Sequence, residues 1–264
     1  MIGLFRKPKV VDQNTADEIF ACFDWMIECF DANTFLNNTA LVLPNNVFFP
    51  DRANNESDMA KLISQRVIEY SGLRHWPFTI VPPEEFNPIT PPQLQLDHRS
   101  RAIPEKTDQV IETLPLVLSY SRSMMKQPMD LVTNMSKNIA QHYLNQSGQA
   151  PPSGENNFNA TSEMLSIFMG FGVLLANSAY TFRGSCARCV DPRAIRSAAL
   201  HENEAIFSLA LFCTLKNTST KSVTPSLKPY LRTAFTKALR QINVYNKPTV
   251  HLLREKLANT TNII

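Results

Sequence analysis

The chain has 264 residues, of which 44% are hydrophobic and 19% charged, and its formal net charge is +3 at pH 7. These values indicate one large or two small folded domains and exclude a disordered chain, a coiled coil and a disulfide-stapled miniprotein. Only 7 glycines stand against 18 prolines, and neither GxGxxG nor GxxxxGK occurs. The common nucleotide-binding α/β folds are therefore disfavoured.

The first half of the chain predicts two helices and a few short strands. Residues 15–18 (TADE) form a capping-box pattern, and apolar residues at helical spacing follow them, which predicts a helix over residues 15–30. A second helix is predicted over residues 56–71. Six prolines mark residues 82–108 as a long excursion. Short apolar runs predict strands at residues 40–43, 78–81 and 114–120, with an edge strand at 93–97.

The second half of the chain predicts helices joined by short loops. Pro128 stands at a position where a helix tolerates proline, and residues 145–157 have the composition of a surface loop. The order of elements predicts an α+β fold with a small, mostly N-terminal sheet and a predominantly helical C-terminal half. The predicted helices cover residues 128–144, 160–182, 191–199, 202–216, 226–242 and 248–258.

The positive charge is concentrated near the C-terminus. Residues 216–256 carry nine Lys or Arg and one acidic residue, Glu255. We therefore divide the chain into a core over residues 1–216 and a basic helical extension over residues 217–264 that packs on it. The extension offers a candidate basic surface, although few aromatic residues are interleaved with its charges, which disfavours nucleic acid as a partner. The surface consists of Lys228, Arg232, Lys237 and Arg240.

The chain also carries signals about its cellular location. No apolar run follows the basic residues near Met1, and the most apolar window, residues 164–176, is too short to span a bilayer. An odd number of cysteines without framework spacing is typical of reduced thiols. We predict a cytoplasmic protein without membrane contact. The spacing of Cys186 and Cys189 is compatible with three alternatives, which are incidental thiols, a metal site and a redox pair.

Three stretches resemble a family of uncharacterised bacterial proteins with a zincin-like metallopeptidase core. Residues 162–180 (SEMLSIFMGFGVLLANSAY) carry the most specific similarity, because GxG inside an apolar helix followed by ANSA is an unusual string. The other stretches are residues 41–51 (LVLPNNVFFPD) and the strand at 114–120 with the helix that ends in residues 137–144 (KNIAQHYL). Residues 202–212 are a weaker fourth. The resemblance implies a zincin-like core.

The resemblance also implies an HExxH motif and an acidic residue on the next helix. Two histidines one turn apart chelate zinc, and the glutamate polarises the bound water. Here Lys137, Asn138 and Gln141 occupy the three chemical positions, and none of them can do this chemistry. The acidic residue is retained as Glu163. We call these residues, together with the neighbouring His142, the degenerate site.

The changed site favours a structural role over catalysis. We expect the Lys137 ammonium to pair with Glu163 in place of the metal, and the alternative is that both are ordinary solvated charges. A binding or scaffold protein without a cofactor, acting on a protein partner, is then the preferred function. A zinc peptidase with rearranged ligands is the second hypothesis, and binding of nucleic acid or an acidic partner through the basic surface is the third. The rearranged ligands would be His142, Glu163 and one of His201 or Glu204, although Glu204 at a helix start is also a capping residue.

Overall fold

The protein is a predominantly helical assembly that contains one small sheet. The computed structural model describes residues 8–87, 91–94, 101, 114–152, 154–179 and 198–261. Within them lie ten α-helices and two strands. The helices are α1 (Gln13–Cys29), α2 (Ala32–Asn37), α3 (Glu56–Tyr70), α4 (Pro128–Ser147), α5 (Phe158–Ser166), α6 (Gly172–Ser178), α7 (Glu202–Leu215), α8 (Thr220–Ser226), α9 (Pro229–Arg240) and α10 (Lys247–Thr261).

The sheet has two parallel strands, β1 (Phe78–Val81) and β2 (Leu116–Ser119). Phe78 pairs with Leu116 and Val81 with Ser119. Both strands were predicted at these places from their apolar runs. The predicted strand at 40–43 is wrong, because this segment has no regular secondary structure and does not join the sheet. Gln93 and Leu94 are not in a strand either, and the remainder of the predicted edge strand lies outside the described residues.

Helix starts follow local side-chain chemistry. The Asp12 carboxylate accepts the backbone N–H of Thr15 at 2.9 Å, so α1 begins at Gln13, two residues before the predicted start at residue 15. Asn55 caps α3 in the same way by accepting the N–H of Asp58. Pro128 opens α4 as predicted, and Gly148 in the left-handed conformation ends it.

The predicted helix over residues 160–182 is broken in the middle. Residues 158–178 run through α5, a π-helical turn over Ile167–Phe171, and α6, and Gly170 inside that turn has φ +102°. This stretch is the one helix in the described part of the chain that is long and apolar enough to cross a membrane. Its apolar window is 83% buried, which is typical of the core helix of a soluble protein.

Helix α7 lies at the centre of the helical half. Nearly all of its residues are buried, which explains why it is apolar on every side. It packs against α6, α9, α1 and α10. One contiguous core therefore includes residues on both sides of the predicted boundary after residue 216, among them Leu231, Phe235 and Leu257.

The C-terminal helices differ in detail from their prediction. The predicted helix over residues 226–242 corresponds to α9, which begins later than predicted because the chain is extended at Leu227 before Pro229 starts the helix. Helix α8, which ends at Ser226, was not predicted. A π-helical turn, Gln241–Tyr245, then leads into α10. Of the predicted helix at 191–199, residues 198 and 199 are not helical and the others lie outside the described residues.

Two contacts hold the C-terminal helices on the beginning of the chain. The buried Gln241 amide accepts the N–H of Val10 at 2.7 Å and donates to the carbonyl of Val11 at 2.9 Å. The Lys256 ammonium lies 2.5 Å from a carboxylate oxygen of both Asp24 and Glu28 on α1. The C-terminal helices thus contact the beginning of the chain through specific polar contacts as well as apolar ones.

Candidate functional site

Helix α4 carries most of the degenerate site and one wall of a cavity. Asn138, Gln141, His142 and Asn145 follow helical spacing i, i+3, i+4 and i+7, so they share one face. That face lines a cavity of about 820 Å³ whose opposite walls include β2 residues and several prolines. A volume of this size can hold a small ligand or a segment of peptide.

The structure brings Lys137 and Glu163 together. The Lys137 ammonium lies 3.5 Å from a Glu163 carboxylate oxygen, and their side chains are 16% and 1% exposed. The other interactions of Glu163 explain why it can be buried. Its carboxylate accepts the backbone N–H groups of Ala199 at 3.1 Å and Leu200 at 3.0 Å. A buried carboxylate with an ammonium and two N–H donors is satisfied by hydrogen bonds.

This arrangement connects three elements. Lys137 belongs to α4, Glu163 to α5, and residues 199 and 200 directly precede α7. Glu163 therefore positions the chain that enters the central helix, in addition to pairing two neighbouring helices. The Gln141 side chain adds a second link between α4 and α5 by donating to the Asn159 side chain at 3.1 Å.

His142 faces the sheet. Its Nε2 lies 3.2 Å from the Val117 carbonyl and donates to it, and its ring packs edge-on against Phe78 at 5.9 Å between centroids. The Nδ1 atom is buried and has no hydrogen-bond partner in the described part of the chain. Burial lowers the pKa of this histidine below its usual 6.5, because removal from water destabilises the charged imidazolium more than the neutral ring.

We expect His142 to make folding stability fall at mildly acidic pH. Its pKa is lower in the folded protein than in the unfolded chain, so its contribution is complete above pH 6.5 and is lost as pH falls through the folded-state value. Urea unfolding midpoints at about pH 7.5 and about pH 5.5 measure the loss, which should be smaller in His142→Gln. The exposed His251 supplies the control, because His251→Gln should keep the wild-type loss. Equal losses in wild type and His142→Gln would contradict this assignment.

The other candidate ligands have separate structural roles. Glu204 accepts the backbone N–H of His201 at 2.8 Å and so caps α7, as predicted for an acidic residue at a helix start. Among the described residues, no three His, Cys, Asp or Glu side chains lie close enough together to hold a metal ion. The alternative ligand set is therefore not gathered at one place. That set comprised His142, Glu163 and either His201 or Glu204.

The cysteines divide between described and undescribed positions. Cys186 and Cys189 lie outside the described residues, so their prediction stays open. Cys22, Cys29 and Cys213 are free thiols. Burial raises the pKa of both Cys22 and Cys213 to about 12, which leaves these two without reactive thiolate at neutral pH.

The candidate basic surface is formed mainly by α9. Arg232, Lys237 and Arg240 are exposed, and Lys228 is half-buried where α9 begins. Arg232 also donates to the carbonyls of Leu227 and Pro225, which stabilises the end of α8. None of the three exposed cations pairs with a carboxylate of the described residues. Binding of an acidic partner here stays a prediction.

Two buried side-chain amides hold distant segments of the chain together, and nothing in the sequence predicted these roles. Asn177 donates to the Ser226 carbonyl at 2.8 Å and accepts the N–H of Lys228 at 2.9 Å, so it fixes the entry into α9. Gln241 performs the equivalent task for residues 10 and 11. Both residue types are usually exposed, and only their contacts with distant residues distinguish them.

Comparison of the chain with protein-family models, curated proteins and solved structures finds no match. A zincin-like core therefore stays a prediction that rests on the sequence resemblance alone.

Proposed function

We propose that this is a cytoplasmic, non-catalytic binding protein, derived from a zincin-like metallopeptidase, that recognises a protein partner and needs no cofactor. One observation carries the proposal: the Lys137 ammonium pairs with the buried Glu163 at 3.5 Å. In the resembling family an acidic residue at this place lies near zinc. An ammonium there supplies positive charge without a lone pair, so it can replace the metal's charge and none of its chemistry.

The surroundings of the pair support loss of catalysis. Glu163 already accepts two backbone N–H groups, which compete with metal ligation. His142 is the one histidine of the degenerate site, and its Nε2 is hydrogen-bonded to the Val117 carbonyl. A catalytic zinc site needs three protein ligands and an open position. The cavity beside α4 has side-chain amides along its wall and is suited to binding.

Metal analysis and a restored motif test the proposal together. Wild-type protein purified without chelator should contain far less than one equivalent of zinc by emission spectroscopy. The triple variant Lys137→His, Asn138→Glu, Gln141→His recreates HExxH beside Glu163 and should bind about one equivalent. Adding Glu163→Gln to this variant should weaken zinc binding by removing the third ligand.

The matched control places the same motif on the exposed face of another helix, away from Glu163. Arg232→His, Thr233→Glu and Thr236→His create HExxH on α9, where two histidines alone should bind zinc weakly. One equivalent of zinc in the wild type would overturn the non-catalytic proposal. A restored motif that binds no better than the α9 control would contradict the zincin origin of the site.

A further inference from the structure

A second cavity, of about 590 Å³, lies between the loop over residues 44–53, helix α3 and the start of α4. It shares no lining residue with the cavity beside the degenerate site. Its floor is made of the buried Val132 and Leu174, and its volume falls in the range of small-molecule sites. Its walls are lined by half-buried apolar side chains, which include Met59, Leu62, Ile63 and Met129.

The apolar lining follows the axis of α3. Met59, Leu62, Ile63 and Arg66 lie at i, i+3, i+4 and i+7, so they form one stripe along the helix. Seven residues of α-helix extend over about 10 Å. The stripe ends at Arg66, close to the charged groups of the rim. This shape suits an elongated apolar chain with a polar group at one end.

The charged side chains at the rim of the cavity indicate whether the polar group of the ligand is anionic or cationic. Arg66 pairs with Asp51 through two contacts, Nε to Oδ2 at 2.7 Å and Nη2 to Oδ1 at 3.2 Å. This pair cancels the negative charge of Asp51. Arg52 also lines the cavity, is exposed, and makes no ion pair with any residue that the structure describes. The guanidinium of Arg52 is therefore available at the rim to bind an anion.

We propose that this cavity binds an anionic amphiphile, with its hydrocarbon chain along the α3 stripe and its carboxylate at Arg52. The apolar walls supply affinity that grows with chain length, because the transfer of each methylene group from water into the apolar cavity is favourable. The guanidinium supplies preference for the anion through charge-assisted hydrogen bonds. The site is independent of the function proposed for the degenerate site.

Calorimetric titration with three probes, each below its micelle concentration, tests the chemistry. Decanoate should bind saturably with one site, and octanoate about 15-fold more weakly because it lacks two methylenes. Decyltrimethylammonium should bind more weakly than decanoate. Absence of saturable decanoate binding would overturn the proposal, and tighter binding of the cation would overturn the assignment of Arg52 to the head group.

Two pairs of variants locate the site. Leu62→Trp fills the cavity and should weaken decanoate binding roughly tenfold or more, whereas Leu252→Trp on the exposed face of α10 should not. Arg52→Gln should weaken decanoate about fivefold and leave 1-decanol unaffected, with Arg240→Gln as its control. Thermal unfolding checks that each variant is folded. Because Arg52 is exposed, its variant tests the proposal even if Leu62→Trp fails to fold. Equal binding by Arg52→Gln and Arg240→Gln would contradict the head-group assignment.

Discussion

Replacing Gly170 with alanine should destabilise the protein by about 3 to 5 kcal/mol, the largest effect we expect from a single methyl group. Gly170 has φ +102°, where side chains with a Cβ are strained. A Cβ there would also lie 2.1 Å from the Ala40 carbonyl oxygen and 3.3 Å from its carbon. Urea unfolding of wild type and Gly170→Ala measures the difference in free energy.

Neighbouring contacts prevent an easy escape from this clash. The Gly170 carbonyl accepts the N–H of Val42 at 2.9 Å, so a hydrogen bond joins the segment at 40–42 to the helix break. Val42 and Thr39 are buried on either side of Ala40. Moving the segment would therefore break a buried hydrogen bond and disturb the core.

Gly148 is the matched control for this prediction. It also has a positive φ, +67°, but a Cβ there would meet nothing within 4 Å. Gly148→Ala should cost about 1 kcal/mol, which is the conformational strain without the clash. Equal losses in the two variants would show that the approach of Ala40 contributes nothing.

Removing the Lys137 charge should cost about 2 to 3 kcal/mol, because the buried Glu163 carboxylate would lose its ammonium partner. We expect less than for a fully buried pair, since Lys137 is 16% exposed and Glu163 keeps its two N–H donors. Lys137→Met, Glu163→Gln and the double variant form a thermodynamic cycle. Urea unfolding should give a coupling energy of about 1 kcal/mol or more.

An exposed ion pair provides the control. Arg122 and Glu84 lie 2.7 Å apart, with side chains 64% and 58% exposed. The cycle with Arg122→Met and Glu84→Gln should give a coupling of about 0.5 kcal/mol or less, since water screens both charges. A similarly small coupling for Lys137 and Glu163 would contradict their role as a structural crosslink.

Gly170 and Gly172 show what a sequence pattern within one helix can and cannot predict. Both belong to the GxG of an apolar helix, a pattern that is typical of close helix packing. Gly172 allows such packing, because a Cβ there would lie 2.9 Å from the Leu209 side chain on α7. Gly170 instead breaks the helix, and the segment that was predicted as a strand lies against the break. The spacing of residues within one helix contains no information about such a distant neighbour.

The degenerate site was found by a different route. Composition and spacing identify α4 and α5 as helices, but they do not specify which side chains of the two helices meet. The resemblance supplied the pairing of Lys137 with Glu163, and the structure has that contact. The two backbone N–H groups on Glu163 and the carbonyl on His142 were not foreseen, because they belong to distant segments.

By itself the sequence determined the local structure: the apolar helical faces, the two strands, the proline at the start of α4 and the excess of positive charge near the C-terminus. These features depend on neighbours within a few residues. Tertiary structure alone decided that Gln241 binds residues 10 and 11, that residues 40–42 adjoin Gly170, and that α3 and α4 enclose an apolar cavity. The reason is physical, since each depends on groups that only packing of the whole chain brings into contact.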